Sequence, residues 1–83
     1  MKIIKDTILL KSAPEYYEKE STGYKNNTVR TLKSIEEDGY TVDQLRKCEY
    51  IIVRNCENER QFEKEISDIS VFEGIVIISW YSI

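Results

Sequence analysis

Residues 75–81 constrain the fold more than any other stretch of the chain. A strand turns successive side chains to opposite faces. Ile75, Ile77 and Tyr81 would therefore share one face, and Val76, Ile78 and Trp80 the other. A strand apolar on both faces belongs inside a sheet with cover on each side. Nor does any apolar run reach the roughly 18 residues that a membrane-spanning helix needs. The rest of the 83-residue chain, the length of a single domain, is expected to supply partner strands and covering helices.

Working back from that strand, the last third reads as a β-meander. Residues 49–54 form a strand and Asn55-Cys56-Glu57-Asn58 a turn. Residues 60–69 form a longer strand, with Phe62 and Ile66 facing inward and Glu63 and Glu65 outward. Glu73-Gly74 makes the turn into the final strand.

The first half alternates strands and helices. Residues 3–10, β-branched and apolar, form the first strand. Ser12-Ala13-Pro14-Glu15 matches a capping box, and Pro14 suits a first helical turn. That helix should run to about Thr22 and stop at Gly23 in a left-handed conformation. A turn at Asn26-Asn27 leads into a short strand over residues 28–32. Ser34-Ile35-Glu36-Glu37 can cap about one turn of helix before Gly39. Thr41-Val42-Asp43-Gln44 opens another through Lys47, with Val42 and Leu45 on one face. The predicted class is α+β, in the order β-α-β-α-β-β-β. Five strands form a strongly curved, mostly antiparallel sheet or small open barrel, with two helices covering it.

Charge and composition narrow the chemistry. The chain has no histidine, which removes histidine triads, histidine metal ligands and a physiological-pH switch. Cys48 and Cys56, the only cysteines, are read as free thiols, too few for a disulfide framework or a zinc site. No metal or other cofactor is expected. The N-terminus lacks a signal-peptide core, so the expected location is the cytoplasm of the cell that makes it.

The formal charge is −3, unevenly spread. Residues 1–34 carry seven Lys/Arg against four Asp/Glu, and residues 35–83 five against eleven. The acidic majority argues against tight nonspecific duplex binding, yet leaves room for a local basic site in the first half.

The first-choice site is Lys25-Asn26-Asn27-Thr28-Val29-Arg30, a loop entering a strand, where scaffolds commonly present functional groups. Lys25 and Arg30 can neutralise a phosphate or a carboxylate, Arg30 bidentately. Asn27 and Thr28 supply short donors and acceptors suited to a base edge. The structural alternative makes Asn26-Asn27 a turn, Thr28 a packed strand residue and Arg30 the partner of a carboxylate. Trp80 is read as core and Tyr81 as an interface or stacking residue. Glu57, Glu59, Glu63 and Glu65, with Glu36, Glu37 and Asp38, either form a negative docking surface or serve as solvated charge that keeps strand edges apart.

Tyr16-Tyr17-Glu18-Lys19-Glu20, Gly23-Tyr24-Lys25-Asn26-Asn27-Thr28-Val29-Arg30, Ile66-Ser67-Asp68-Ile69 and Ile77-Ile78-Ser79-Trp80 together resemble short phage and prophage proteins of low-GC Gram-positive bacteria. That resemblance implies a phage- or prophage-type protein in the cytoplasm of a bacterial host. Together with an acidic, aromatic, histidine-free chain that has no catalytic set, it leads to the expectation of an accessory protein acting by stoichiometric binding, as an inhibitor of a host defence protein. Gly23, Lys25, Thr28 and Arg30 more loosely resemble the ASCH group of PUA-like barrels, with Asn26 and Asn27 set between the lysine and the threonine. That second resemblance implies RNA or modified-nucleoside binding. It also implies, as a lesser expectation, amide hydrolysis by Lys25, Thr28 and one of Glu18 or Glu20. The leading expectation is a binding protein rather than an enzyme.

Overall fold

The computed structural model describes residues 1–82. Its elements are β1 (Lys2–Ile4), β2 (Thr7–Ser12), α1 (Pro14–Ser21), β3 (Asn27–Thr31), α2 (Leu32–Glu37), α3 (Val42–Arg46), β4 (Tyr50–Asn55), β5 (Gln61–Phe72) and β6 (Ile75–Trp80). Six strands form one sheet in the order β1-β2-β4-β5-β6-β3. Every neighbouring pair is antiparallel except β2 with β4.

The α+β class and the β4-β5-β6 meander match expectation; the element count does not. The predicted first strand is two. Lys5 takes φ 55°, so the chain folds back and Ile3 pairs with Ile8. This left-handed conformation is normally taken by glycine or asparagine, so nothing at Lys5 announces a hairpin. The covering helices are three, because α2 and α3 each form a separate short helix.

Ser12 does not cap α1. Its hydroxyl donates to Glu20 at 2.6 Å, and the helix begins at N-cap Ala13 without a side-chain cap. Thr31, not Ser34, caps α2 by accepting from the Ser34 amide. The Thr41–Gln44 capping box forms in full. Gly23 adopts φ 87° just after the end of α1. Asn26 and Asn27 make no turn, for Asn27 is already the first residue of β3.

β5 holds the two halves of the sheet together. Its first half pairs with β4 and its second with β6. The register shifts between Ile66 and Asp68, a bulge that bends and twists the strand. The bend rolls the open sheet until Arg30 on edge strand β3 donates to the Lys11 carbonyl on β2, at 2.9 Å. Ile8 and Leu10, Ile51 and Val53, and Val76, Ile78 and Trp80 point into the core from alternate positions of β2, β4 and β6. Tyr17, Ile35 and Leu45 cover them from α1, α2 and α3. Phe62 lies between Tyr17 and Trp80, with ring centroids 5.5 and 5.8 Å away. β6 is internal to the sheet as predicted, but only one of its faces is covered, and Ile75 on the other is 42% exposed.

Candidate functional site

Where β3 approaches β2, the end of α1 closes a cleft of about 550 Å³. This lies within the range of small-molecule sites, roughly 300–1,000 Å³. Its polar lining comes from Lys11 and Ser12 of β2, Glu20 of α1, Lys25 of the following loop, and Thr28 and Arg30 of β3. Tyr16 stands at the rim, half exposed.

Local structure dictates this convergence. Tyr17 and Glu20 lie three residues apart, on one face of α1. Packing Tyr17 on Phe62 therefore drives Glu20 inward, and both are buried. Strand alternation then sets β3. Thr28 pairs with Ile78 and Arg30 with Val76, so both share the face of the core residues. The Lys25 amide donates to the Lys19 carbonyl at 2.9 Å, tying the loop back to the helix. The Lys25 ammonium lies 5.3 Å from the centre of the Tyr16 ring, in cation–π contact.

Glu20 is the unusual member. It is 1% exposed, and one of its carboxylate oxygens takes the Ser12 hydroxyl. The other has no hydrogen-bond partner among the described residues. The ion pair found among them joins the Met1 amino group to Asp38, so Glu20 is not neutralised in that way. A buried, half-satisfied carboxylate opposes folding.

Arg30 lies within its electrostatic field. Its guanidinium donates to the Thr28 hydroxyl at 2.8 Å, the Val29 carbonyl at 2.9 Å and the Lys11 carbonyl at 2.9 Å. Burial lowers the Arg30 pKa from its ordinary value, and the negative field of Glu20 opposes that shift. Arg30 thus pairs with no carboxylate directly. It presents a partly desolvated cation near a desolvated acceptor, where electrostatic contacts are stronger than in water.

Of the residues singled out from sequence, the structure brings Lys25, Thr28 and Arg30 into one cleft. Asn27 pairs with Ser79 on the opposite face of β3, and Tyr81 lies beyond the end of β6, 53% exposed. Neither lines the cleft. Of the two glutamates considered beside Lys25 and Thr28, Glu20 lines it and Glu18 does not. Ser12 was legible only as a helix cap, because its real partner is eight residues away on the far side of a helix turn.

The described residues contain no group of three or more Cys, Asp or Glu placed to hold a metal ion. No described helix is long and apolar enough to cross a membrane. Both cysteines are free thiols, Cys48 buried and Cys56 exposed. Comparison with models of known protein families and with curated proteins finds no match for the chain.

Proposed function

We propose that the cleft binds a nucleoside, free or as an unpaired residue of RNA, with Glu20 and Arg30 reading its base edge. The observation that supports this most is the buried Glu20 carboxylate, with one oxygen fixed by Ser12 and the other unpartnered. A base edge offers N–H donors beside carbonyl or ring-nitrogen acceptors. Glu20 would accept from the first, and Arg30, Lys25 or Thr28 would donate to the second. The Tyr16 ring at the rim offers a stacking surface of the kind single-stranded RNA readers use.

An NMR titration with the four ribonucleosides tests the reading. The amides of residues 11–13, 20, 25 and 28–30 should shift with at least one nucleoside, and Glu20→Gln should weaken the response at least tenfold. Absence of any shift at millimolar nucleoside would remove the proposal. Lys25, Thr28 and Glu20 are also the set expected of an amide hydrolase. An N-acylated nucleoside therefore belongs in the panel, and multiple turnover of it, lost in Thr28→Ala, would turn the binder into an enzyme.

A second reading, inhibition of a host protein by stoichiometric binding, rests on a different surface. Val29, Phe72 and Ile75 lie exposed on the outer face of β3, β5 and β6, at 46%, 69% and 42%. Exposed aromatic and aliphatic side chains of this kind anchor protein interfaces. Affinity capture from a bacterial extract distinguishes the two. A protein partner lost on Phe72→Ser but kept on Glu20→Gln would favour inhibition.

A further inference from the structure

A second depression, of about 470 Å³, adjoins the cleft, sharing Lys11 and Arg30 with it. Lys2 on β1 and Arg54 on β4 bring its cationic side chains to four, with Leu9 and Ile52 lying between them. No carboxylate from the described residues lines it. In a chain of net charge −3 this concentration of one sign is unusual.

Strand register explains how it arises. Lys2 is paired with Leu9, and Leu9 with Ile52, in one row; Lys11 is paired with Arg54 two positions along. All of these side chains point away from the core positions Ile8, Ile51 and Val53. β1 and β4 lie two strands apart, roughly 10 Å, so the cations cover more than a single point charge. The Gln61 side-chain oxygen accepts from Arg54 at 3.0 and 3.2 Å, which orients the guanidinium without neutralising it.

Resting on the nucleoside reading of the adjoining cleft, we infer that this trough holds the phosphates of the same ligand. The ligand class is then single-stranded RNA, with one base in the Glu20 cleft and the neighbouring backbone over Lys2, Lys11 and Arg54. Lys11 and Arg30, lining both depressions, stand where base and backbone diverge. Phosphate contacts supply affinity and register, and the cleft supplies the choice of base.

The test compares a ribonucleoside with a short oligoribonucleotide carrying the same base, by calorimetry at several salt concentrations. The oligonucleotide should bind at least tenfold more tightly. Log affinity should fall with log salt at a slope of about −2, from three neutralised phosphates at roughly −0.7 each, while nucleoside affinity stays flat. The double variant Lys2→Gln/Arg54→Gln should lower oligonucleotide affinity towards the nucleoside value and leave nucleoside affinity unchanged. Glu63→Lys should tighten the oligonucleotide, because Glu63 stands beside Ile52 on the next strand. A misfolded variant cannot mimic that gain. Equal affinity for both ligands, or indifference to all three changes, overturns the inference while the nucleoside reading stands. Failure of both ligands to bind overturns that reading itself.

Discussion

Removing Ser12 and Glu20 together should abolish ligand binding and leave the fold intact. Glu20 is buried, with one oxygen satisfied and one not. The bond from Ser12 to a carboxylate contributes about 1.5–3 kcal/mol, while an unsatisfied buried acceptor costs about 1–3 kcal/mol, more if charged. The two effects nearly cancel, so the pair adds little net stability. Glu20→Met alone strands the buried Ser12 hydroxyl and should destabilise by about 1–3 kcal/mol. Ser12→Ala/Glu20→Met leaves neither partner of that hydrogen bond stranded, and Arg30, which loses the field of Glu20, keeps its bonds to Thr28, Val29 and Lys11. Met is close to Glu in volume and flexible enough to fill the gap. The double variant should therefore lie within about 1–2 kcal/mol of the parent, because replacing both partners of a buried hydrogen bond by apolar groups of the same shape is nearly neutral. Trp80, the single tryptophan and 3% exposed, reports unfolding by fluorescence. In urea, a slope of about 1 kcal/mol per molar makes each kcal/mol a midpoint change of roughly 1 M. A double variant destabilised by more than about 3 kcal/mol would refute the reasoning. Glu20 would then be part of the structural framework rather than a group held ready for a ligand.

Three further outcomes follow from the packing. Ile78→Ala, at a fully buried position of β6, should lose about 2–5 kcal/mol by urea unfolding. Thr41→Ala removes the capping box of α3 and should lose about 1 kcal/mol in the same assay. Burial first, and the nearby Asp6 carboxylate second, push the Cys48 thiol pKa up. The folded state therefore holds that proton more tightly than the unfolded state. The associated stability is present below the unfolded thiol pKa and disappears as pH rises through the folded one. Mass-spectrometric labelling with iodoacetamide at pH 8 should modify exposed Cys56 quickly and Cys48 only slowly. Equal labelling rates would contradict the burial of Cys48.

The meander and the Thr41 helix were legible because each rests on local signals. β5 alternates Phe62 and Ile66 with Glu63 and Glu65, Glu73-Gly74 turns the chain, and Thr41 and Gln44 bind one another. The break at Lys5 was not, since a lysine with positive φ carries no glycine or asparagine signature. Ser12-Ala13-Pro14-Glu15 misled for a related reason. A serine hydroxyl can accept from a helix-end amide or donate to a carboxylate; here it donates to Glu20, and the helix starts one residue later, at N-cap Ala13, with no side-chain cap. Lys25, Asn27, Thr28 and Arg30 could be chosen together because cationic and short polar side chains sit where a loop enters a strand. Strand alternation, with Thr28 facing the core, turns Asn27 away. The choice between Glu18 and Glu20 needed the packing of Tyr17. The basic trough could not be read from any one segment, because Lys2, Lys11 and Arg54 meet only across three strands. The excess of lysine and arginine in residues 1–34 is its one trace in the sequence.

Calorimetric titration of each ribonucleoside into the parent protein and into Ser12→Ala/Glu20→Met puts the purpose of the buried carboxylate to the test. The parent should release heat with at least one nucleoside and saturate at one per chain, and the folded double variant should give none. Identical heats for both proteins, or none for either, would contradict the assignment of Glu20 to ligand recognition.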